Sequence, residues 1–592
     1  MAGSLENQVI VQARRDKSEM TRGEDAPVVE RPWVSHLEEV VTLEVALYGL
    51  AILSGLVMRL LLLDLRPLSV EEGALASESY RIWQGQPSDA LQQGPLTAFG
   101  TALMLAMFAG GDGAARLLPA LAGTVLVAAP YLLRGPLGRT AAILAAFGIA
   151  VSPLLLFASR DVGSGVVPIT LGVLVWWALE PGIMRVGRWR AGTAALLLSG
   201  LLACGVEGLT VAAGLAVAAI ASSPRIGALL HELRDAAAAP VWRRSAALFV
   251  GGALAVGTGL GTNLKGVQWV GVDAWANWLG SFRLGAPKES ILVMLGLYEL
   301  PVMLLAIPQL LKTIFRPTRT DSFLALWAML LLLQGMLQGA GPVSRVVLPL
   351  VPLYFMAARL AARTLPEAQE GGRGWGWTAG SLAVAAPVAV AIVGLTGLSH
   401  LSGPMPELVE PYLYSEVLLI GIAGLVVGLL VDGKGRRALA WYAAAILGLG
   451  FLWHGTVSLN YRLDTLSREP VVGTQVSTFL RDAATDAAYF SRYFDAPVTV
   501  DPQLRAATEW YLRRARVVQY SADASTGISF GLASSPQDGL KPGSERRPGL
   551  VAPTVDPRDS SWQGIWRWLV TRDGLVRPNQ RDIIVRAPAG DW

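Results

Sequence analysis

The chain has 592 residues, of which 53% are hydrophobic and only 16% are charged, and its net charge is +4. Soluble domains carry about 25% charged residues, so this composition excludes an ordinary soluble globular protein and favours a polytopic membrane protein. One cysteine and four scattered histidines exclude a disulfide framework, a CxxC metal site and a histidine-based metal cluster. With so small a net charge we expect no nucleic-acid partner.

The first part of the chain predicts a cytoplasmic tail followed by a multi-pass membrane domain. Residues 1–39 are charged and lack the apolar core of a signal peptide, so the first apolar run is expected to be an uncleaved anchor. The domain from 40 to 458 contains about thirteen runs long enough, or nearly so, to cross a membrane as helices. They lie near residues 41–63, 117–133, 140–158, 164–181, 191–206, 208–222, 244–262, 290–312, 321–338, 345–361, 378–398, 413–431 and 438–457.

The loop charges orient these spans. Arg and Lys cluster in every second loop, which places those loops and the N-terminus in the cytoplasm and the loop 64–95 on the outer face of the plasma membrane. The run Leu96–Ala109 is too short to span and is expected to lie at the outer membrane surface or to dip into it. The fold class predicted from this pattern is an all-α polytopic membrane protein.

The last part, 459–592, differs in composition and predicts a small extracytoplasmic α/β domain. Long apolar runs are few, and short strand-like pieces alternate with turn residues. The predicted elements are strands over 497–501, 517–520 and 582–586, helices over 503–514 and 562–570, and a loop over 521–549.

Two adjacent carboxylates, Glu71 and Glu72, follow the first span, where acidic groups are costly unless they are paired, solvated or used. Ser69 with Glu72 matches a capping box, so capping alone explains Glu72. It explains Glu71 less well, because Glu71 is not at the capping-box position. In a helix over 70–84, Glu71 is better placed to point into a cleft and to act as a general base.

Other candidate groups lie near outer helix ends. Asp161 is either one partner of a salt bridge at a helix end or a second acidic group, and carboxylates such as Glu71 and Asp161 suit Mg²⁺ or Mn²⁺. Arg345 either holds a phosphate by paired hydrogen bonds or snorkels toward lipid headgroups. Glu207 and Glu299 are candidate substrate-binding carboxylates or structural ones.

Several short motifs along the chain resemble a known family. They are Val70-Glu71-Glu72-Gly73, Gln93-Gly94-Pro95, Ala115–Gly123, Ala150–Pro153, Ser159-Arg160, Tyr298–Pro301, Val500–Pro502 and Glu509–Arg513. Their order is similar to that of the GT-C superfamily of membrane glycosyltransferases, which take sugars from polyprenyl-phosphate carriers. Within it, the chain is most similar to the flippase-activity-associated family, relatives of protein O-mannosyltransferases.

The resemblance implies an outward-facing active site with an acidic residue of the first loop as base or metal-binding group. Carried over to this sequence, that role belongs to Glu71 with Glu72 beside it. Gln93 and Arg160 become candidate substrate-binding residues by the same comparison. The partners implied are the lipid bilayer, a polyprenyl-phosphate-linked sugar, and an acceptor protein or glycan.

The chain departs from the family pattern at several of these positions. The family's Asp is Glu71 here, its preceding His is Val70, and the His of the second element is Gln93. Where the family has a second Arg and an Asp, this chain has Gly163 and Gly165.

Three hypotheses follow from these residues. The first is a glycosyltransferase with Glu71 as base, Glu72 and Asp161 as auxiliary acids, and Arg345 on the donor phosphate. The second is a catalytically degenerate relative that binds lipid-linked sugar or assists a flippase or a cell-envelope assembly complex through a membrane partner. The third, a transporter, is disfavoured because the sequence shows no inverted repeat.

Overall fold

The protein is described from a computed structural model. The described residues are 43–86, 94–108, 110–180, 187–223, 235, 239–282, 290–338, 342–365, 435–462, 468–521, 528–533, 544–555, 565, 568–569 and 575–586. The chain divides into Met1–Leu50, of which only the start of the first helix is described, and Ala51–Trp592. Every contact below lies within the second unit.

Helices form most of the described chain up to residue 460. They are α1 Leu43–Leu60, α2 Val70–Trp83, α3 Pro95–Met107, α4 Asp112–Leu132, α5 Arg139–Val151, α6 Pro153–Ser159, α7 Val166–Leu179, α8 Arg188–Leu202, α9 Gly205–Ala221, α10 Pro240–Gly257, α11 Ala274–Gly280, α12 Ser290–Tyr298, α13 Leu300–Phe315, α14 Arg319–Leu337, α15 Pro342–Thr364 and α16 Gly435–Asn460. Short helical turns at 134–137 and 266–273 complete this part.

The described helices include candidate membrane spans. Three helices, α4, α14 and α15, are long and apolar enough to cross a membrane, and the number rises to five if each of two bent pairs forms one span. The predicted spans near 378–398 and 413–431 lie outside the described residues. The mainly helical body with apolar candidate spans is therefore confirmed, whereas the count of about thirteen stays a prediction.

Two predicted single spans are broken in the structure. The run 140–158 bends by 62° between α5 and α6, and the run 290–312 bends by 115° between α12 and α13. Ser152 caps α6, and Pro153 occupies its first position. Pro301 lies in the first turn of α13. Proline at these positions starts a new helix because it cannot donate to the preceding turn. Each bent pair is apolar enough to form one span, so the two spans stay predictions.

The C-terminal part contains helix α17 (Thr478–Phe494) and a six-stranded mixed sheet. The strands are β1 Gln475–Val476, β2 Val498–Val500, β3 Val518–Tyr520, β4 Ile528–Leu532, β5 Ser544–Val555 and β6 Val576–Arg586, in the order β1-β5-β6-β4-β2-β3. Strand β2 is parallel to β3 and β4, and the other pairs are antiparallel.

The three predicted strands are confirmed, and two other predictions in this domain are wrong. The predicted loop 521–549 contains β4 and the start of β5, whose irregular register between Pro548 and Leu550 accommodates the proline. The predicted helix 503–514 is reduced to short turns over Pro502–Leu504 and Arg505–Thr508. The predicted helix 562–570 lies mostly outside the described residues.

The sheet domain packs on the loop between α1 and α2 through two aromatic residues. Trp510 is fully buried, and its Nε1 donates to Asp112 Oδ1 at 2.7 Å. The Tyr511 hydroxyl accepts from the Leu68 amide at 2.8 Å and donates to Asp112 Oδ2 at 3.3 Å. Asp112 begins α4, so these bonds join the sheet domain to both the loop and a candidate span.

Trp510→Phe should loosen this junction. The substitution keeps an aromatic ring but removes the Nε1–H that Asp112 accepts, and a hydrogen bond to a charged group contributes about 1.5–3 kcal/mol. We expect faster proteolysis within 468–521 and a lower melting temperature. Trp275→Phe, at a half-exposed indole, is the control. Equal cleavage rates in the two variants would contradict this account of the junction.

Candidate active site

The predicted capping box is present at the start of α2. Ser69 Oγ accepts from the Glu72 amide at 3.1 Å, and Glu72 Oε2 accepts from the Ser69 amide at 2.9 Å. The helix beginning at Val70 therefore confirms the prediction for 70–84. The cap fixes the position of the Glu72 side chain. Glu72 is almost fully buried, with a relative exposure of 1%.

Glu72 is held by two arginines. Arg116 donates from Nε to Oε1 and from Nη2 to Oε2, both at 2.8 Å, and Arg66 Nη2 lies 3.3 Å from Oε2. The Val162 amide also donates to Oε1, at 3.2 Å. Burial would raise the pKa of the Glu72 carboxyl, but the two guanidinium groups and these hydrogen bonds lower it to about 2. Glu72 is therefore an ionised carboxylate whose oxygens are already occupied.

The same arginines fix the backbone around the site. Arg116 donates to the carbonyls of Leu63, Arg66 and Pro67, which fastens the end of the first helical segment to α4. Arg66 lies 4.5 Å over the ring of Phe157 and donates to the Arg160 carbonyl. The cluster joins the first loop, α4 and the segment after α6.

Asp161 lies beside this cluster, and its carboxylate makes fewer hydrogen bonds than that of Glu72. Its Oδ2 is 3.4 Å from Arg66 Nη2, and its side chain is 15% exposed. Burial raises the pKa of the Asp161 carboxyl well above its usual range, and the charges of Glu72 and Glu71 raise it further. Carboxyl groups with perturbed pKa values cluster at functional sites, so Asp161 is a candidate catalytic group.

This pKa shift makes a prediction for stability. The folded protein keeps a proton on Asp161 at pH values where the unfolded chain has released it, so stability falls as pH rises from about 4 through the raised pKa. Each pKa unit of difference between the folded and unfolded states changes the free energy of unfolding by about 1.4 kcal/mol. Asp161→Asn should therefore raise the melting temperature at pH 7.5, and the gain should disappear near pH 4.

The exposed Asp64 offers a matched control for this measurement. Asp64→Asn should leave the melting temperature unchanged at both pH values. A lower melting temperature for Asp161→Asn at pH 7.5 would show instead that the ion pair with Arg66 dominates.

Glu71 differs from its neighbour in being exposed. It lies near Gly473, where an added Cβ would come within 3.8 Å of Glu71 Oε2. Its charge contributes to the raised pKa of Asp161. Among the described residues, no group of three or more His, Cys, Asp or Glu side chains could hold a metal ion. The predicted two-carboxylate metal site stays a prediction.

A second polar cluster lies at the start of α15. Ser344 hydrogen-bonds the Glu207 carboxylate. Gly165, with φ +79°, packs against Ser344, where an added Cβ would lie 3.1 Å from the serine Cβ. The loop from Asp161 to Gly165 thus connects the acidic region to this cluster. Within the part of the chain that the structure describes, Arg345 Nε is buried with no hydrogen-bond partner.

Two residues that the sequence did not single out are Thr210, three positions after Glu207, and Gln338. Thr210, one turn further along α9, exchanges hydrogen bonds with the Gln338 side chain at 2.9–3.0 Å. Trp278 Nε1 also donates to Thr210 Oγ1, at 3.1 Å. A threonine and a glutamine within or beside apolar helices are a signal that could have identified this cluster.

Two predicted substrate-binding residues, Glu299 and Arg160, have other surroundings. Glu299 is fully buried and accepts from Ser152 Oγ and Tyr354 Oη, each at 2.6 Å, so it stabilises the helix breaks. Arg160 donates to three carbonyls at the end of α1, those of Met58, Leu61 and Leu62. Gln93 lies outside the described residues.

Comparison with solved structures identifies the fold. The apo structure of ArnT from Cupriavidus metallidurans matches with a TM-score of 0.53 and 14% identity, covering 93% of this chain and 99% of ArnT. ArnT bound to undecaprenyl phosphate matches with a TM-score of 0.49 and 17% identity, over 81% of this chain and 86% of ArnT. The apo oligosaccharyltransferase of Archaeoglobus fulgidus matches with a TM-score of 0.45 and 13% identity, covering 80% of this chain and 64% of the oligosaccharyltransferase.

These neighbours are GT-C superfamily glycosyltransferases, which are integral membrane proteins. The match to apo ArnT shows that the chain has this fold, as the resemblance at superfamily level predicts. No family model matches the chain, and no curated protein matches it in sequence.

Proposed function

We propose that this chain is a membrane glycosyltransferase that transfers a sugar from a polyprenyl-phosphate-linked donor to an acceptor protein or glycan on the extracytoplasmic face. The observation that carries the proposal is the pair of carboxylates, Glu71 and Asp161, that remain available beside a buried arginine cluster. The GT-C fold supports it, since ArnT and its neighbours transfer sugars or glycans from such donors. The finer proposal is membership of the flippase-activity-associated family.

In this proposal the acidic residues divide between chemistry and structure. Glu71, which is exposed, removes the proton from the acceptor hydroxyl. Asp161 orients the acceptor by a hydrogen bond. Glu72 belongs to the structure rather than to the chemistry, because Arg116, Arg66 and two backbone amides occupy its oxygens.

Arg345 is the proposed contact for the donor phosphate. Its buried Nε has an unused donor, and the adjacent Ser344–Glu207 pair can position the headgroup or sugar. A guanidinium binds a phosphate with two parallel hydrogen bonds, so it holds the leaving group as negative charge develops there.

Arg345→Gln should weaken donor binding by tenfold to a hundredfold, because a hydrogen bond to a charged group contributes about 1.5–3 kcal/mol. The donor affinity of Arg345→Lys should lie between those of the wild type and Arg345→Gln, since lysine keeps the charge but loses the paired geometry. The measurement is the binding constant of a labelled polyprenyl-phosphate sugar in lipid nanodiscs. Arg316→Gln, at an exposed arginine after α13, is the control. Unchanged affinity in Arg345→Gln would remove Arg345 from the site.

A divalent cation is a further part of the proposal. Mg²⁺ or Mn²⁺ would be held by Glu71 and Asp161, since both ions prefer carboxylate oxygens. Arg66, 3.4 Å from Asp161 Oδ2, already supplies a positive charge there, and this weakens the fit of a metal ion. No step of the proposed reaction depends on the metal.

The proposed arrangement in the membrane has about thirteen spans, a cytoplasmic N-terminus and an extracytoplasmic domain over 459–592. Trp510 and Tyr511 tie that domain to the first outer loop, and this supports its proposed position over the site, where it would select the acceptor. A partner in envelope assembly would dock on the same domain.

The second candidate function is a catalytically degenerate relative that binds lipid-linked sugar and assists a flippase or an assembly complex. The absence of both histidines from the family pattern, with Val70 and Gln93 in their places, favours it. Such a protein would bind donor without breaking the bond between sugar and phosphate.

Product analysis distinguishes the two functions. Purified protein in lipid vesicles is given a panel of labelled polyprenyl-phosphate and polyprenyl-pyrophosphate sugars with candidate acceptors. A transferase releases the carrier as polyprenyl phosphate or polyprenyl pyrophosphate, according to the donor, and moves the label to the acceptor. Donor that stays bound but intact supports the binding function, and label that crosses the membrane on an intact donor supports a transporter.

A further inference from the structure

The exposed face of α17 changes in character along the helix. Four exposed residues, spaced as neighbours on one helix face, form a stripe along it: Asp482, Asp486, Tyr489 and Tyr493. The buried residues of α17 pack in the hydrophobic core of the sheet domain. The stripe therefore begins with two carboxylates and ends with two aromatic rings. A helix face in water is normally charged or polar, so the aromatic end calls for other surroundings.

The chemistry of the aromatic end favours a lipid–water interface. Tyr493 is 82% exposed, and the adjacent Phe494 is 70% exposed. Leaving such rings in water is costly, because burial of apolar surface is favourable by about 25 cal/mol per Å². Arg492, directly before them, is also exposed. At a membrane surface, aromatic rings lie at the level of the headgroups, and an arginine beside them can extend to a lipid phosphate.

Hydrogen bonds place this end of α17 near the start of α4. The Arg516 amide donates to Ser491 Oγ at 3.3 Å, and Arg514 Nη1 donates to Tyr489 Oη at 3.5 Å. Arg514 in turn lies beside Gly110, where an added Cβ would be 3.9 Å from Arg514 Nη2. Helix α4 begins two residues after Gly110 and is a candidate membrane span. If α4 crosses the bilayer, its start marks a membrane surface, and the aromatic end of α17 is close to that surface.

Helix α3 has an exposed apolar surface at the same end of α4. Gly100 of α3 packs against Leu118 in the second turn of α4, where an added Cβ would lie 2.8 Å from the leucine Cδ2. Helix α3 therefore runs beside the first turns of the candidate span. The exposed apolar residues toward its end are Leu103, Met107 and Phe108. Two separate elements thus have large apolar side chains exposed near the start of α4.

We propose that the aromatic end of α17 inserts into the headgroup layer of the phospholipid bilayer beside the start of α4, while the acidic end of the helix stays in water. Asp482 and Tyr493 are about 17 Å apart along the helix, so they can lie at different depths. A bilayer fits this end of α17 because a span at α4 places lipid headgroups next to Gly110. The contact holds the sheet domain at the membrane, and it goes beyond the proposed function and does not depend on it.

The test is the depth of a fluorescent label on the full chain in phosphatidylcholine nanodiscs. Tyr493→Cys and the matched control Asp482→Cys each carry the label, and Cys204, the one native cysteine, is 1% exposed and should not react. Phospholipid brominated next to its headgroup should quench the label at 493 about threefold more strongly than the label at 482. Soluble iodide should show the reverse order. Melting temperatures check that the variants fold, and Phe494→Cys serves if Tyr493→Cys does not.

Three results would overturn the proposal. Equal quenching of the two labels by brominated lipid would show that the two ends of the stripe do not differ in depth. Full quenching of the label at 493 by iodide would place the aromatic end in water. A label at 493 that neither quencher reaches would show that protein, rather than lipid, covers this end of α17. None of these readouts requires sugar transfer, so the result is independent of the glycosyltransferase proposal.

Discussion

Glu72→Gln should destabilise the protein by about 3–5 kcal/mol, the cost of removing one partner of a buried ion pair. Arg116 is 1% exposed and would keep its charge with no carboxylate opposite it. Glutamine also replaces an acceptor oxygen with an NH₂ group that faces guanidinium donors. The expected result is a protein that expresses poorly or melts at a much lower temperature, measured by thermal unfolding in lipid.

The dependence on pH gives this prediction a second readout. The pKa of Glu72 is lowered from 4.5 to about 2, so its contribution is fully present above pH 4.5 and is lost as pH falls toward 2. The shift corresponds to about 3 kcal/mol. The wild type should lose this stability on acidification, whereas Glu72→Gln should lack that component. Glu71→Gln is the matched control, and similar melting temperatures for the two variants would contradict the ion-pair account.

Glu71→Gln should lower sugar transfer by about a hundredfold to ten-thousandfold, the usual contribution of a general base. Folding should change little, because substitutions of exposed side chains usually alter stability by less than about 0.5 kcal/mol. Steady-state turnover at saturating donor is the measurement. Glu71→Asp keeps a carboxylate, about 1 Å displaced, and should retain more activity than Glu71→Gln. Turnover within twofold of the wild type in Glu71→Gln would exclude it as the base.

Local patterns predicted much of the first loop and the sheet. The capping box at Ser69 and Glu72 involves residues three positions apart, and the strands at 498–500 and 518–520 have short apolar stretches bounded by turn residues. Such signals depend on neighbours in sequence, so they can be recognised without the fold.

The different surroundings of the adjacent residues Glu71 and Glu72 depend on residues that are distant in sequence. Arg116 lies 44 positions after Glu72, and no local pattern indicates that it reaches that carboxylate. The raised pKa of Asp161 likewise depends on burial and on Glu72, which only the fold brings together. The sequence therefore identified Glu71 and Glu72 as candidates but could not show that arginines bind the oxygens of Glu72.

The wrong predictions have physical reasons. The Ser, Gly and Pro content of 521–549 is typical of loops, but pairing with β6 gives its last residues a strand conformation. The helix breaks beside Ser152 and Glu299 did have a local signal, since Pro153 and Pro301 each follow closely. Length and hydropathy predicted each run as a span but could not show the bend within it.

The most direct test of the central claim is sugar transfer per folded molecule, measured side by side for the wild type, Glu71→Gln and Glu72→Gln in the same lipid. The account predicts that Glu71→Gln folds and binds donor but does not transfer, whereas the Glu72→Gln molecules that fold transfer at nearly the wild-type rate. Normal transfer by Glu71→Gln, or loss of transfer by well-folded Glu72→Gln, would contradict the proposed division between chemistry and structure.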